Sequence, residues 1–391
     1  MLLLKNGLVR PMDRGAFTGD VLIEDGKIRA LGENLPAGGA DVIDTSGLFV
    51  FPGFIDAHCH IGMWEDGMGA EGADGNEATD PVTPQLRAVD GLNPFDPCFT
   101  EAREAGVTTA VTGPGSANVI GGQFAALKTY GRSVEEMVLR DPIAMKAATG
   151  ENPKGVYAER KVTPTTRMAI ASLIRSTLTE AQEYKHDRET LSDDKKPDRD
   201  IAMEALLPVL ERKLTMKIHA HRADDILTAL RLAKEFNIRV TIDHCTEGYM
   251  ITDVLKERLI EQGAGVIVGP LLSERSKIEL KNLTFKAPRI LAEAGIPFAM
   301  MTDHPVIPIQ FLPVQAALAV REGLDEQTAL LSITKTAAEI VGIADRVGTL
   351  APGMDADVAV FDAHPFDYRA HCVLTLINGK IVHDRRVSEV R

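Results

Sequence analysis

The chain has 391 residues, 45% of them hydrophobic, which is ample for a large core and suits one α/β barrel with an accessory domain. Its 43 Lys and Arg against 56 Asp and Glu give a net charge of −13, which argues against nucleic acid or an anionic membrane as partner. Four scattered cysteines without a C-x-x-C pair fit reduced thiols in a cytoplasmic protein, and neither a signal peptide nor a membrane-spanning apolar run is expected.

In chain order, the first 50 residues read as short strands separated by turns. LLLKNGLVR is followed by GDVLIEDGKIRALG, with Asp25-Gly26 as a hairpin turn, and by ADVIDTSGLFVFPGF. VFPGFIDAH then opens a region in which apolar strands alternate with amphipathic helices, the pattern of parallel β/α units. The loop after it, residues 61–97, is rich in Gly, Asp, Glu and Pro and is the better candidate for an active-site loop. Further strands are GVTTAVTG (106–113), a weaker QFAALKTY (123–130), PIAMKAATG (142–150), LTMKIHAH (214–221), RVTIDHC (239–245), GAGVIVG (263–269) and PFAMMTD (297–303). DDILTALRLAKEF (224–236) is one of the intervening helices, and the charged DRETLSDDKKPDRD (187–200) reads as a solvated loop. ADVAVFD (356–362) and CVLTLINGKIVHD (372–384) are again strands, with Asn378-Gly379 as a turn. The β-rich ends therefore predict one small β domain from residues 1–50 and 346–391, around a barrel over residues 51–345.

In such a barrel, chemistry collects at the C-terminal ends of the strands. His58 and His60 close the first strand, His219 and His221 the KIHAH strand, His244 the TIDH strand and Asp303 the AMMTD strand. Residues i and i+2 of a strand point to the same side, so each histidine pair can address one point in the barrel mouth. A single histidine at a strand end is more often a hydrogen-bonded structural residue. Five, with an aspartate, on four strand ends make an N/O set suited to Zn²⁺, with Fe²⁺ or Mn²⁺ as alternatives.

At FPGFIDAHCH, EAGVTTA, KIHAHRADD, VTIDHC, MTDHPV and VGTLAPGMDADVAVFD the chain resembles the amidohydrolase superfamily, specifically its imidazolonepropionase-like branch. The resemblance implies a (β/α)8 TIM barrel with a β-sandwich built from both termini. It implies metal ligation, by one or two ions per chain, at His58, His60, His219, His244 and Asp303, with His221 facing substrate; exchange of the His219 and His221 roles stays open. On the fourth strand it implies a bridging ligand, and AMKAATGENPK offers two. Glu151 at the mouth is preferred, and Lys146, carboxylated by CO₂, is the alternative because it lies well before the expected strand end. Imidazolonepropionase activity itself is not expected, since His221 stands where that enzyme's pattern commonly has an acidic residue.

The reaction implied is hydrolysis of a C–N bond, of a cyclic amide in a small molecule, by a metal-activated hydroxide. Asp303 has the chemistry of the base that later protonates the leaving nitrogen, and His221 or His244 could polarise the carbonyl. Arg222 could hold a substrate carboxylate, although strand alternation makes a surface salt bridge at least as good a reading. The glycine-rich TGPGSANVIGGQ (112–123) reads as a loop over the mouth, with Asn118 and Gln123 as substrate contacts. It is no P-loop, because no G-K-[ST] follows. Cys59 and Cys245 most simply pack the barrel wall. Two alternatives stand beside this reading: a dipeptidase or N-acyl amino acid hydrolase on the same site, and a silent scaffold homologue, which the complete ligand set speaks against. A homo-oligomer is compatible with all three.

Overall fold

The computed structural model describes residues 1–262 and 265–388. The chain begins with β1 (Leu2–Val9), β2 (Phe17–Glu24), β3 (Lys27–Gly32), β4 (Asp41–Asp44) and β5 (Phe49–Pro52). The central region contributes β6 (Phe54–Cys59), β7 (Val107–Thr112), β8 (Ile120–Lys128), β9 (Val138–Ala148), β10 (Thr215–Ala220), β11 (Val240–His244), β12 (Val266–Val268) and β13 (Phe298–Met300). The C-terminal region adds β14 (Val358–Phe361), β15 (Cys372–Ile377) and β16 (Lys380–Asp384). Of the expected strand GAGVIVG, Gly263 and Ala264 lie outside the described residues, as do residues 389–391 of the expected terminal domain.

Strands from both ends of the chain form one sheet in the order β16-β15-β14-β5-β1-β2-β3, with β4 beside β1. Two Asx-Gly pairs make its tight hairpins. Asp25 and Gly26 have φ of 49° and 76°, and Asn378 and Gly379 have 48° and 72°, the left-handed pair that matches strand twist in a two-residue turn. The second sheet runs β13-β12-β11-β10-β9-β8-β7-β6 and curls into a (β/α)8-type barrel with helices outside, next to the β-sandwich of the two termini. Its ends meet where the Asp303 N–H donates to the His58 carbonyl (3.2 Å) and the His60 N–H to the His304 carbonyl (2.8 Å). The fully buried Asp56 spans the same seam, accepting from the backbone N–H groups of His58 and Thr302.

Two expectations are corrected. The strand foreseen at 123–130 begins three residues earlier, at Ile120, and runs antiparallel to both β7 and β9, so the barrel is not all-parallel. Residues 187–190 are not loop, because the helix Arg167–Thr190 continues through them before the charged loop. Among the described residues no helix is long and apolar enough to cross a membrane.

Lys128, at the end of β8, ties the barrel to the terminal sheet. Its buried ammonium contacts Asp355 at 3.0 Å and also Asp357, both almost fully buried just before β14. Asp355 keeps Arg346 and Lys27, but the buried Asp357 would lose its cation, so Lys128→Met is expected to cost about 3–5 kcal/mol. A urea titration measures this, and a loss below about 1 kcal/mol, the scale of a surface pair, would contradict the buried clamp.

Candidate metal centre

The mouth of the barrel is built from strands whose interior-facing residues alternate with apolar ones. On β10, Lys217 and His219 face inward while Met216, Ile218 and Ala220 pack outward, and His221 continues the inward series. Along β6 the inward series is Asp56, His58 and His60. His244 breaks the rule. Asp243 before it points inward to His58, so extended chain would turn His244 away; instead the backbone is left-handed at His244 (φ 72°) and Cys245 (φ 49°), and the imidazole joins the cluster. Asp303 is left-handed too, at φ 56°. Backbone in this sparsely used region is characteristic of sites where chemistry fixes the geometry.

Two groups of ligand atoms result, each with all members within 4.8 Å of one another: His219, His221 and His244, and His58, His244 and Asp303. His60 Nε2 lies 3.2 Å from the Asp303 carboxylate. The five imidazoles are held by their other nitrogen. Nδ1 of His58 faces the Asp243 carboxylate (2.6 Å), that of His60 the Gly113 carbonyl (2.7 Å) and that of His244 the Gly269 carbonyl (3.0 Å). These partners only accept, so Nδ1 carries the proton and Nε2 presents a lone pair to the centre. His219 and His221 are held instead by the hydroxyls of Ser116 (2.9 Å) and Thr246 (2.7 Å). Burial holds the pKa of His58, His219, His221 and His244 well below the ordinary imidazole range, reinforced by Lys146 at His58 and His219 and by neighbouring imidazoles at His221 and His244. Nε2 of both His219 and His244 is buried with no hydrogen-bond partner. Buried polar atoms are normally satisfied, and these two converge on neutral imidazoles and a carboxylate, so the donor set fits a divalent metal.

Burial alone would raise the Asp303 pKa, but its contact with His60 and the nearby His58 and Lys146 outweigh it and hold the carboxyl below its usual range. At 13% exposure its side chain is the most accessible of this group. Cys59 and Cys245 are fully buried, and burial raises both thiols, Cys245 to about 12, which suits wall packing and not nucleophilic attack.

Other foreseen positions lie elsewhere. Glu151 is not in the cluster: it starts the helix Glu151–Glu159, and its carboxylate accepts from the Glu279 N–H at 3.3 Å. Lys146 is there instead, fully buried, with Nζ 3.4 Å from His58 Nε2 and 5.6 Å from the Phe124 ring centroid. Arg222 is paired with Asp224 at the surface (2.8 Å). Asn118 is engaged by the framework: it donates both amide hydrogens, to the Glu77 carbonyl and the Thr83 hydroxyl, and accepts from the Tyr157 hydroxyl. Gln123 donates to the Pro84 carbonyl at 3.2 Å, bracing the 61–97 loop. The glycine-rich loop is shorter than foreseen, because Ile120 to Gln123 belong to β8. Gly122 lets that loop lie against the strand: a Cβ there would stand 2.6 Å from the Leu86 carbonyl oxygen.

The sequence reading missed Asp243, Ser116, Thr246 and above all Glu279. Glu279 is 1% exposed, with Oε1 unpartnered 3.7 Å from His219 Nε2 and 3.6 Å from His221 Nε2. His221 thus stands among the ligand atoms, not apart from them on a substrate side.

Comparison with known proteins agrees with this fold. The model of the Amidohydrolase family matches residues 199–383. The crystal structure of an amidohydrolase from Thermotoga maritima MSB8 is 45% identical, covers 98% of this chain and 100% of that one, and superposes with a TM-score of 0.95. Amidohydrolase tasK of Hapsidospora irregularis is 29% identical over 94% of this chain, which spans 40% of that relative's length. A dihydroorotase of Elusimicrobium minutum (strain Pei191) is 25% identical over 92% of this chain and 88% of its own.

Proposed function

The chain belongs to the amidohydrolase family, and from that premise we propose that it hydrolyses a C–N bond, of a cyclic amide, in a small molecule. The observation that carries this reading is the convergence of imidazole Nε2 atoms, two of them buried and unpartnered, beside the Asp303 carboxylate. The relative named dihydroorotase supports the substrate class.

His58, His60, His219, His221, His244 and Asp303 would hold the metal, with Zn²⁺ preferred by their chemistry. When bound, it would lower the pKa of a water molecule and polarise the scissile carbonyl. The protein's own part begins with Asp303, whose partly exposed carboxylate takes the proton of the attacking water and returns it to the departing nitrogen. Burial keeps the imidazoles of His244 and His221 neutral beside the centre, where an unprotonated Nε2 can serve as a ligand.

Lys146 replaces Glu151 as our choice of fourth-strand ligand. Burial pushes the pKa of its amine down to about 8 against the pull of Asp243 and Asp303, so a neutral fraction is available beside His58. A neutral amine adds CO₂ and loses one proton, giving a carbamate whose negative charge suits the centre.

Elemental analysis of protein purified without chelator tests the reading, alongside a hydrolysis screen of cyclic amides, N-acyl amino acids and dipeptides. We expect close to two metal equivalents and turnover of a cyclic amide. Turnover confined to dipeptides or N-acyl amino acids would replace the substrate class. No metal after reconstitution with Zn²⁺ or Mn²⁺ would leave a silent scaffold.

A further inference from the structure

We propose that Glu279, on the loop that follows β12, gives a carboxylate oxygen to the metal held by His219 and His221; this rests on the metal-centre reading above. Its Oε1 is buried, has no hydrogen-bond partner, and stands 3.7 and 3.6 Å from the two Nε2 atoms. Those separations are too long for hydrogen bonds. They match two ligands of one ion: bonds of about 2.0–2.2 Å at tetrahedral to trigonal angles place the donor atoms about 3.3–3.8 Å apart. A carboxylate buried this deeply needs a cationic neighbour. The ammonium of Lys277, two residues earlier on the same loop, is engaged by Asn152 Oδ1 at 2.7 Å.

The rest of the residue is held as a ligand's surroundings usually are. Oε2 accepts the Glu151 N–H at 3.0 Å, and Glu151 in return accepts the Glu279 N–H at 3.3 Å. Glu151 therefore orients the carboxylate that reaches the centre without reaching it itself. Gly150 completes the cradle: at φ 81°, a Cβ there would stand 2.9 Å from Glu279 Oε2.

The test is zinc content and zinc affinity, by competition with a chromophoric chelator, for wild type, Glu279→Gln and Glu279→Asp, with the visible absorption of the cobalt-substituted proteins. Gln keeps an acceptor for the Glu151 N–H, so thermal melting should show an intact fold. We expect Glu279→Gln to lose one metal equivalent, or to bind it more than about 100-fold more weakly, beyond the 10–100-fold usual for an outer-shell partner. Glu279→Asp, with the oxygen drawn back by one methylene, should fall between, and the cobalt bands should shift in both. A folded Glu279→Gln with wild-type zinc content, affinity and cobalt spectrum overturns the assignment. Absence of metal from the wild type overturns it together with the metal centre, a result distinct from the first.

Discussion

Asp303→Asn is expected to lower kcat by about 10²–10⁴-fold, the range that a positioned general acid–base group contributes, while part of the metal stays bound. The amide keeps the shape and the oxygen that faces His60 but cannot take up a proton at neutral pH. Neither the left-handed backbone at this position (φ 56°) nor the seam bond from its N–H to the His58 carbonyl depends on the side-chain charge, so the fold should survive. Metal content measured beside steady-state kinetics separates the two roles of the residue. Near-normal turnover in Asp303→Asn would remove Asp303 from proton transfer. A protein emptied of metal would make it a ligand alone.

The second large effect is expected from Lys146→Met: metal content dropping from about two equivalents to one or less, with turnover lost in step. Methionine comes close to the volume and unbranched shape of the lysine stem, and such swaps in a core cost little. Among the described residues the amine has no carboxylate within ion-pair distance, in contrast to Lys217, which pairs with Asp243 at 3.0 Å. Loss of metal would then report a lost ligand, not a lost fold. A ¹³C resonance acquired from labelled bicarbonate by the wild type but not the variant would identify the carbamate directly. Unchanged metal and turnover in Lys146→Met would return the fourth-strand position to water or substrate.

The strand-end residues were legible because strand geometry leaves a mark in the sequence. An apolar run closing in His-x-His places both imidazoles on one side, as His58 with His60 and His219 with His221 show. Lys146 was set too deep on the same reasoning. It is cross-strand partner to Lys217, two residues below the level where His219 faces Ala148, but the four-carbon stem spans that depth and brings Nζ to His58. The direction of β8 was not legible, since an apolar run does not say which way it runs. Ser116, Thr246 and the carbonyls of Gly113 and Gly269 carry no signature of their role, because hydroxyls and backbone oxygens occur everywhere. Glu279 was hidden for another reason: it sits in a charged stretch, SERSKIEL, that reads as solvated loop until the fold buries one of its carboxylates.

The reversed strand has a consequence for the symmetry of the molecule. A barrel of eight like βα units can be divided into equivalent halves, each a rotated copy of the other. Here β6 to β9 contain one strand that opposes its neighbours, whereas β10 to β13 are parallel throughout. No rotation about the barrel axis maps one half on the other. The halves also divide the ligands unequally. His58, His60 and Lys146 belong to the first, and His219, His221, His244, Glu279 and Asp303 to the second or to the loops that follow its strands. The cluster of His58, His244 and Asp303 draws on both, so it exists only in the closed ring.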